Sequence, residues 1–290
     1  MTHDVLVIGS ANADLVVRAD RRPSAGETVL GGDTVVMPGG KGANTAVAAA
    51  KLNADVALFA AIGDDSYGAI LTESLRRAGV HTDLLRVVAR PTGIAYITVT
   101  PDGENSILVS PGANSALEPS MVEDALAGAK IMVASLEVPL PMVERAVAAA
   151  SAAGVRTLLN LSPAAALGRR TLAALDILLV NEHEAASLLG SGTDPAKLLE
   201  LGPRSAVLTL GARGALVITP SGITEIGAPR VEAVDSTGAG DAFTGALTAA
   251  LAGGADLESA ARQAVRVAAI SVTRPGAQPS YPSAAELAAG

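Results

Sequence analysis

The residues best suited to chemistry stand in one run, Asp235-Ser236-Thr237-Gly238-Ala239-Gly240-Asp241-Ala242-Phe243, which leads into a long helical tract. Gly238 and Gly240 free the backbone to curl at a helix start, so that successive N–H groups face outward. The helix dipole adds to their pull on an anion. An aspartate just beyond such an anion hole would repel the same ligand unless it has another task. Accepting the proton of an attacking hydroxyl is such a task, because charge then flows toward a phosphoryl group. The bland alternative is a Gly-rich turn in which Asp241 caps the helix.

Four other segments carry polar groups of a useful kind. In Pro38-Gly39-Gly40-Lys41-Gly42-Ala43-Asn44 glycines again open a helix, and Lys41 and Asn44 fall one turn apart, within reach of one ligand. A capped helix start with a solvated lysine fits that run equally well. Asn12-Ala13-Asp14 follows the first aliphatic run, where ligands of open α/β sheets gather. A spacing of two puts Asn12 and Asp14 on one face of an extended segment, both able to bond sugar hydroxyls; an Asx turn explains the same pair. Asn181-Glu182-His183-Glu184 spells a capping box, and it equally offers the Glu184 carboxylate to magnesium beside a nucleotide. Thr209-Leu210-Gly211-Ala212-Arg213-Gly214 follows a strand with glycines that let a nucleotide come close. The familiar phosphate loops are absent: Gly40-Lys41 is followed by Gly42 rather than Ser or Thr, and no G-x-G-x-x-G follows the first strand.

Such groups need a rigid scaffold, and the composition supplies one. The 290 residues are 49% hydrophobic and 17% charged, which favours a buried core over disorder. With two Phe, three Tyr and no Trp, that core must be built from Ala, Val, Leu and Ile, and aromatic stacking on nucleic-acid bases is disfavoured. A formal net charge of −8 argues against a nucleic-acid partner, yet a small phosphate held by amides and a metal remains compatible. The absence of cysteine excludes disulfides and thiolate chemistry, and three His make a His-rich metal cage unpromising. Neither a basic leader nor an 18-residue apolar run is present, so a soluble, cytoplasmic chain is expected.

Short aliphatic runs alternate with helical stretches, the pattern of an α/β fold. Strands are predicted at 5–9, 56–62, 131–135, 157–161, 176–180 and 206–210, and helices at 42–51, 66–78, 120–127, 142–152, 239–252 and 257–273. Two stretches break the rhythm. Half-polar alternation within 14–37 (Glu27-Thr28-Val29-Leu30) and 93–110 (Ile94-Ala95-Tyr96-Ile97-Thr98-Val99, turning at Pro101-Asp102-Gly103) predicts a small sheet with one exposed or partner-covered face. These read as strands of a lid inserted into the core.

Taken in order from Asn12-Ala13-Asp14 to Gly276-Ala277-Gln278-Pro279-Ser280, the segments resemble the PfkB carbohydrate kinase family over nearly the whole chain. The runs at 38–44 and 235–243 match that family's two sequence patterns. The resemblance implies one kinase domain over residues 1–290, with a doubly wound, mainly parallel sheet flanked by helices and a β lid that pairs into a homodimer. It implies transfer of the γ-phosphoryl group of ATP to O5 of D-ribose; deoxyribose, another sugar or a nucleoside is the alternative. A non-catalytic sugar sensor fits less well, because the candidate base and anion hole are intact and no DNA-binding segment is present.

Residue by residue, the resemblance makes Asp241 the catalytic base, with Gly238, Ala239 and Gly240 as the anion hole. It assigns Asn12, Asp14, Gly40, Lys41, Asn44 and Glu137 to the sugar, and Asn181, Thr209, Gly211, Gly214 and Gly240 to ATP. Glu184 would serve Mg2+, through water. Asp235, Thr237, Ser271, Arg274, Gly276 and Ser280 would hold an activating K+ that orders the loop feeding the anion hole. Glu137 has a purely structural reading without the resemblance.

Overall fold

The aliphatic runs of the sequence become strands buried on both faces, as parallel neighbours covered by helices require. The computed structural model describes residues 3–102 and 105–289. In chain order the strands are β1 (Val5–Ile8), β2 (Asn12–Arg18), β3 (Val35–Gly39), β4 (Val56–Phe59), β5 (Ala61–Gly63), β6 (Arg86–Val88), β7 (Gly93–Val99), β8 (Asn105–Ser110), β9 (Ile131–Ala134), β10 (Arg156–Asn160), β11 (Ile177–Asn181), β12 (Ser205–Thr209), β13 (Ala215–Thr219) and β14 (Gly222–Ile226). The α-helices are α1 (Lys41–Lys51), α2 (Ser66–Arg77), α3 (Val122–Ala125), α4 (Leu140–Ala152), α5 (Arg169–Ala173), α6 (Glu182–Leu189), α7 (Ala239–Ala252), α8 (Leu257–Ser271) and α9 (Ala284–Ala289).

The large sheet runs β14-β13-β12-β11-β10-β9-β1-β4, parallel from β4 to β12, with β13 and β14 antiparallel at one edge. Alternate residues of β1 divide between two cores. Val5 and Val7 pack with α1, α2, α7 and α8, while Leu6 and Ile8 pack with α3, α4, α5 and α6. Helices therefore cover both faces, and the sheet is doubly wound. The chain leaves β1 toward β4 on one side and β9 on the other, so the carboxyl end of β1 is a topological switch point, where ligands of such sheets bind. Small side chains let the flanking helices close on each other: Ala43, Ala46, Ala242 and Ala246 are fully buried, and α1 packs along α7. That contact sets the amino ends of two helices side by side at the switch point.

A separate four-stranded sheet, β3-β2-β7-β8, stands over this end. Along β7 the predicted alternation holds, with Ala95 and Ile97 buried and Tyr96 turned outward. Its strands begin earlier than the alternation suggested, at Asn12, and Glu27–Leu30 forms no strand at all. Leu30 is 92% exposed, so its run lacks the covered face that a half-buried strand needs. The turn expected at Pro101-Asp102-Gly103 lies partly outside the described residues.

Other differences have local causes. The strand predicted at 56–62 is broken at Ala60, and β5 leaves the large sheet to pair with β6. The helix predicted at 120–127 is a 3-10 turn, Pro119–Met121, followed by only four α-helical residues; Pro119 stands at the start and Gly128 follows with φ 84°. The β13–β14 hairpin was not foreseen, since its five-residue strands carry too little alternation to stand out. Among the described residues no helix is long and apolar enough to cross a membrane.

Candidate active site

Asp241 sits in the first turn of α7 and is only 6% exposed. Its Oδ2 accepts a hydrogen bond of 2.9 Å from Nδ2 of Asn44, one turn into α1 and itself buried. Lys41, the first residue of α1, donates its backbone N–H to Oε2 of Glu137 at 3.2 Å, and the Ser10 hydroxyl donates to the same oxygen. Helix packing thus gathers residues 10, 41, 44, 137 and 241 into one polar cluster.

Charge in this cluster is out of balance. Burial pushes the Asp14 carboxyl up to about 7, with the charges of Glu137 and Asp241 adding to the rise. Burial likewise pushes Asp241 up to about 6; Lys41 and the Asn44 hydrogen bond hold it back, and Glu137 raises it further. Burial alone would lower the Lys41 ammonium, but Asp241, Glu137 and Glu184 together keep it above its ordinary value. One ammonium facing several carboxylates leaves acceptors in surplus, and hydroxyl donors are what such a site lacks. Asp14 itself has no hydrogen-bonded partner among the described residues. It can lie where it does because its carboxylate folds back over Gly39, where any Cβ would collide with it.

Asn12 is buried, and its Oδ1 accepts from Nδ2 of Asn114 at 2.7 Å. Asn114 also clasps the backbone of Ala11, accepting from its N–H at 3.0 Å and donating to its carbonyl at 3.3 Å. Asn12 is thereby fixed with its own amide N–H groups left for a ligand.

At the start of α7, Gly238 has φ 72° and ψ 6°, a left-handed conformation that disfavours other residues. A side chain there would also strike the Tyr281 hydroxyl, which donates to the Gly238 carbonyl at 3.1 Å. The amides of Ala239 and Ala242 are taken by the carbonyls of Ser236 (3.2 Å) and Gly238 (2.8 Å). Those of Gly238, Gly240 and Asp241 have no acceptor among the described residues, and the space beside Gly240 is open. Free amides at a helix start, flanked by a carboxylate, can receive an anion and take up a proton in one place. Of the predicted hole, only the Ala239 amide is already engaged.

Asp235 ties this turn down. Its Oδ1 accepts from the Thr237 N–H at 2.9 Å and its Oδ2 from the Gly276 N–H at 2.8 Å. Burial would raise its pKa, but these hydrogen bonds win and the carboxyl lies below its ordinary value. The hydroxyls of Ser271 and Ser280 are committed to the carbonyls of Ala268 and Ala277, and the Arg274 side chain turns away to Glu286 at 2.8 Å.

The remaining predicted residues lie at the carboxyl ends of β11 and β12, where Asn181 and Thr209 are register partners. The capping box forms in full: the Asn181 side chain accepts from the Glu184 N–H, and Glu184 Oε2 accepts from the Asn181 N–H, both at 2.8 Å. Glu184 is buried, but one of its oxygens remains outside this pair. Gly211 has open space around it, whereas Gly214 is closed off by the backbone of residues 226–228 and serves the turn into β13.

A model described as "pfkB family carbohydrate kinase" matches residues 2–284. The chain is 40% identical to the ribokinase of Bacillus subtilis, covering 98% of both chains. It is 38% identical to the ribokinase of Schizosaccharomyces pombe, over 98% of this chain and 96% of the relative. Its fold superposes with a TM-score of 0.92 on Arabidopsis thaliana ribokinase complexed with ribose and ATP, at 32% identity, covering 100% of this chain and 98% of the other. The chain belongs to the pfkB family of carbohydrate kinases.

In this carbohydrate kinase the structure gathers Asn12, Asp14, Gly40, Lys41, Asn44, Glu137 and Asp241 around the amino ends of α1 and α7. It sets Asn181, Glu184, Thr209 and Gly211 at the carboxyl ends of β11 and β12. Sequence reasoning missed Asn114 and Gln278, which hold Asn12 and Asn44. Both sit in short 3-10 turns, Gly112–Ala116 and Gln278–Ser280, and pair with residues 102 and 234 positions away. Neither has a local pattern that could have marked it.

Proposed function

We propose that this kinase transfers the γ-phosphoryl group of ATP to O5 of D-ribose, giving ribose 5-phosphate. The observation that carries the proposal is the buried Asp241 carboxylate, held by Asn44 beside amides that have no protein acceptor. Asn12, Asp14, Asn44 and Glu137 present acceptors and amide donors to a small, hydroxyl-rich ring, and Lys41 balances their charge. Asp241 takes the proton of the attacking hydroxyl as the new O–P bond forms and the bond from the γ-phosphorus to the β–γ bridging oxygen breaks, with ADP leaving on that oxygen. The amides of Gly238 and Gly240 meet the charge that grows on the phosphoryl oxygens, and they need no reorganisation to do so. The nucleotide lies against Asn181, Thr209 and Gly211.

Two cations belong to the proposal. Magnesium, when bound, neutralises phosphate charge; the uncommitted Glu184 oxygen, a hard donor, suits it, directly or through water. The loop formed by Asp235, Thr237, Ser271, Arg274, Gly276 and Ser280 offers an all-oxygen donor set of carbonyls and one carboxylate, which suits K+ rather than a soft metal. A second copy of the chain is the proposed partner of the small sheet. Its outer side carries the register row of Val36 (40% exposed), Tyr96 (48%) and Leu108 (70%), an apolar surface that a matching sheet would cover.

A coupled assay with ATP and a panel of ribose, deoxyribose, other pentoses, hexoses and adenosine tests the assignment. Ribose should give the highest kcat/KM. Preference for deoxyribose would change the acceptor and keep the chemistry, while turnover of none of them would sink the proposal.

A further inference from the structure

Behind Asp241 a single file of side-chain hydrogen bonds leaves the site toward α2. Asn44 Nδ2 donates to Asp241 Oδ2 at 2.9 Å, Gln278 Nε2 donates to Asn44 Oδ1 at 3.0 Å, and Ser74 Oγ donates to Gln278 Oε1 at 3.0 Å. The carboxylate dictates these orientations. An ionised Asp241 only accepts, so Asn44 must turn its NH2 inward, and its carbonyl then needs a donor. Gln278 supplies one only through its own NH2, which leaves its carbonyl for the Ser74 hydroxyl. Every donor in the file points toward Asp241.

Gln278 is built to stay in place. It is 5% exposed, and Lys51 Nζ clamps the backbone around it by donating to the carbonyls of Gln278 at 2.7 Å and Tyr281 at 2.9 Å. Its only side-chain partners among the described residues are Asn44 and Ser74, and it makes no hydrogen bond to Asp241 itself.

We propose that Gln278 is a positioning residue: it locks the Asn44 amide in the one orientation that can donate to Asp241, and with Ser74 it polarises that donor toward the base. The proposal rests on the reading of Asp241 as the base. Aligned hydrogen bonds strengthen one another in a poorly solvated interior, so the file favours the ionised carboxylate against the cost of burial. The other groups facing Asp241 are Lys41 from α1, Glu137 after β9, Asp14 from β2 and the Tyr281 hydroxyl. Of these Lys41 alone is cationic, so the neutral file is the main additional support for the negative charge.

The test is the pH dependence of kcat/KM for the sugar, measured on the full-length enzyme. Gln278→Met keeps the bulk but removes both hydrogen bonds and lets the Asn44 amide turn over. It should lower kcat/KM at neutral pH by roughly ten-fold and move the acid limb upward, with recovery as the pH rises. Gln278→Glu places an acceptor against the Asn44 carbonyl and should cost more. Ser74→Ala, at a half-buried position in α2 and away from every residue assigned to sugar or nucleotide, should move the limb the same way by a smaller step, and KM for ATP should not change in any variant. A merely structural role would lower activity equally at every pH. An acid limb that stays put in Gln278→Met and in Ser74→Ala overturns the proposal, and Ser74→Ala decides alone if the Gln278 variants melt below the assay temperature. Asp241→Asn separates the two readings. If it is inactive while the limbs are unmoved, only the positioning role falls; if it keeps near-native turnover, the base itself is misassigned.

Discussion

At the end of the site proposed for the sugar, Asn12 is paired with Asn114 and Asn44 with Asp241 and Gln278, all of them buried, whereas at the end proposed for the nucleotide Asn181 is exposed, Gly211 stands in open space and the side-chain pairing amounts to one helix cap and the exposed ion pair between Glu182 and Arg213. The first arrangement is preorganised: Asn12, Asn44 and Asp241 already have their orientations fixed by Asn114, Gln278 and one another. The second relies on backbone and shape. A site that must tell one hydroxyl pattern from another, and move a proton, gains from fixed polar side chains whose partners go unsatisfied with the wrong ligand. A site that holds a flexible polyphosphate gains more from amides and helix ends. Side-chain removal should therefore be costly at the first end and mild at the second.

The largest effect expected is at the residue where both ends meet. Asp241→Asn keeps the shape and the position in α7 but loses the proton acceptor, so turnover should fall by roughly a hundred-fold or more, with ribose and ATP binding within a few-fold of wild type. Steady-state kinetics combined with calorimetric titration of each ligand separates the two. Near-native turnover would remove the mechanism and with it the reason for treating the sugar end as the chemical one.

Next in size is the contrast between Asp14→Ala and Asn181→Ala. Asp14 has no hydrogen-bonded partner among the described residues and faces Glu137 and Asp241, so on the proposed function its loss leaves sugar hydroxyls unpaired at about 1–3 kcal/mol each, roughly five- to 150-fold in affinity. ATP affinity should barely move. Asn181→Ala removes the capping side chain and should cost about 1 kcal/mol of stability, with only a few-fold change in KM for ATP. Equal loss of both ligands in Asp14→Ala would show that the two ends are not separable.

The way the two ends were built also decides how much of each could be read in the sequence. Glycine-opened helices, the carboxyl end of the first strand and the 181–184 capping box are local patterns, and all of them are found where their spacing put them. The alternation in β7 was legible for the same reason, and the run at Glu27–Leu30 misled because alternation alone does not say that a covering face exists. What escaped was non-local. A lone Asn or Gln in a 3-10 turn carries no period, so Asn114 and Gln278 became visible only when packing brought them against Asn12 and Asn44. The Ala239 amide was miscounted because the Ser236 carbonyl reaches it across a turn whose curl no spacing rule predicts.

Preorganisation of carboxylates has a measurable cost in the ligand-free enzyme. Asp14, pushed up to about 7, and Asp241, to about 6, titrate above their ordinary 3.8, so the folded chain holds these protons more tightly than the unfolded one. The stability they contribute is fully present below about pH 4 and is lost as the pH rises through about 6 and then about 7. Asp14→Asn cannot ionise and escapes its share of that loss. Its melting temperature relative to wild type should therefore improve between about pH 5 and about pH 8, in the absence of sugar. A gap that stays constant or closes would mean that Asp14 is better solvated than its surroundings indicate.

The smallest effect expected concerns the loop that feeds the anion hole. Asp235 already joins its two halves through the Thr237 and Gly276 amides, so the turn does not depend wholly on a cation. The serine hydroxyls at 271 and 280 are committed to carbonyls, which leaves carbonyl oxygens and the carboxylate of Asp235 to meet an ion. A large, weakly hydrated ion would neutralise the half-buried carboxylate and stiffen the curl at Gly238, from which the free amides of Gly240 and Asp241 follow. Exchanging sodium for potassium at constant ionic strength should then raise kcat by a few-fold at most and leave the sugar KM alone, because the sugar side chains are anchored elsewhere. Asp235→Ala should abolish the response and also lower basal activity, since it cuts two hydrogen bonds. Asp235→Asn makes the sharper variant: its one carbonyl oxygen can keep one of the two amide contacts while the charge is gone, so it should lose more of the potassium response than of the sodium activity. A wild-type enzyme indifferent to the exchange would leave Asp235 as a clasp only, and the anion hole would then be as preorganised without an ion as the sugar end is without its sugar.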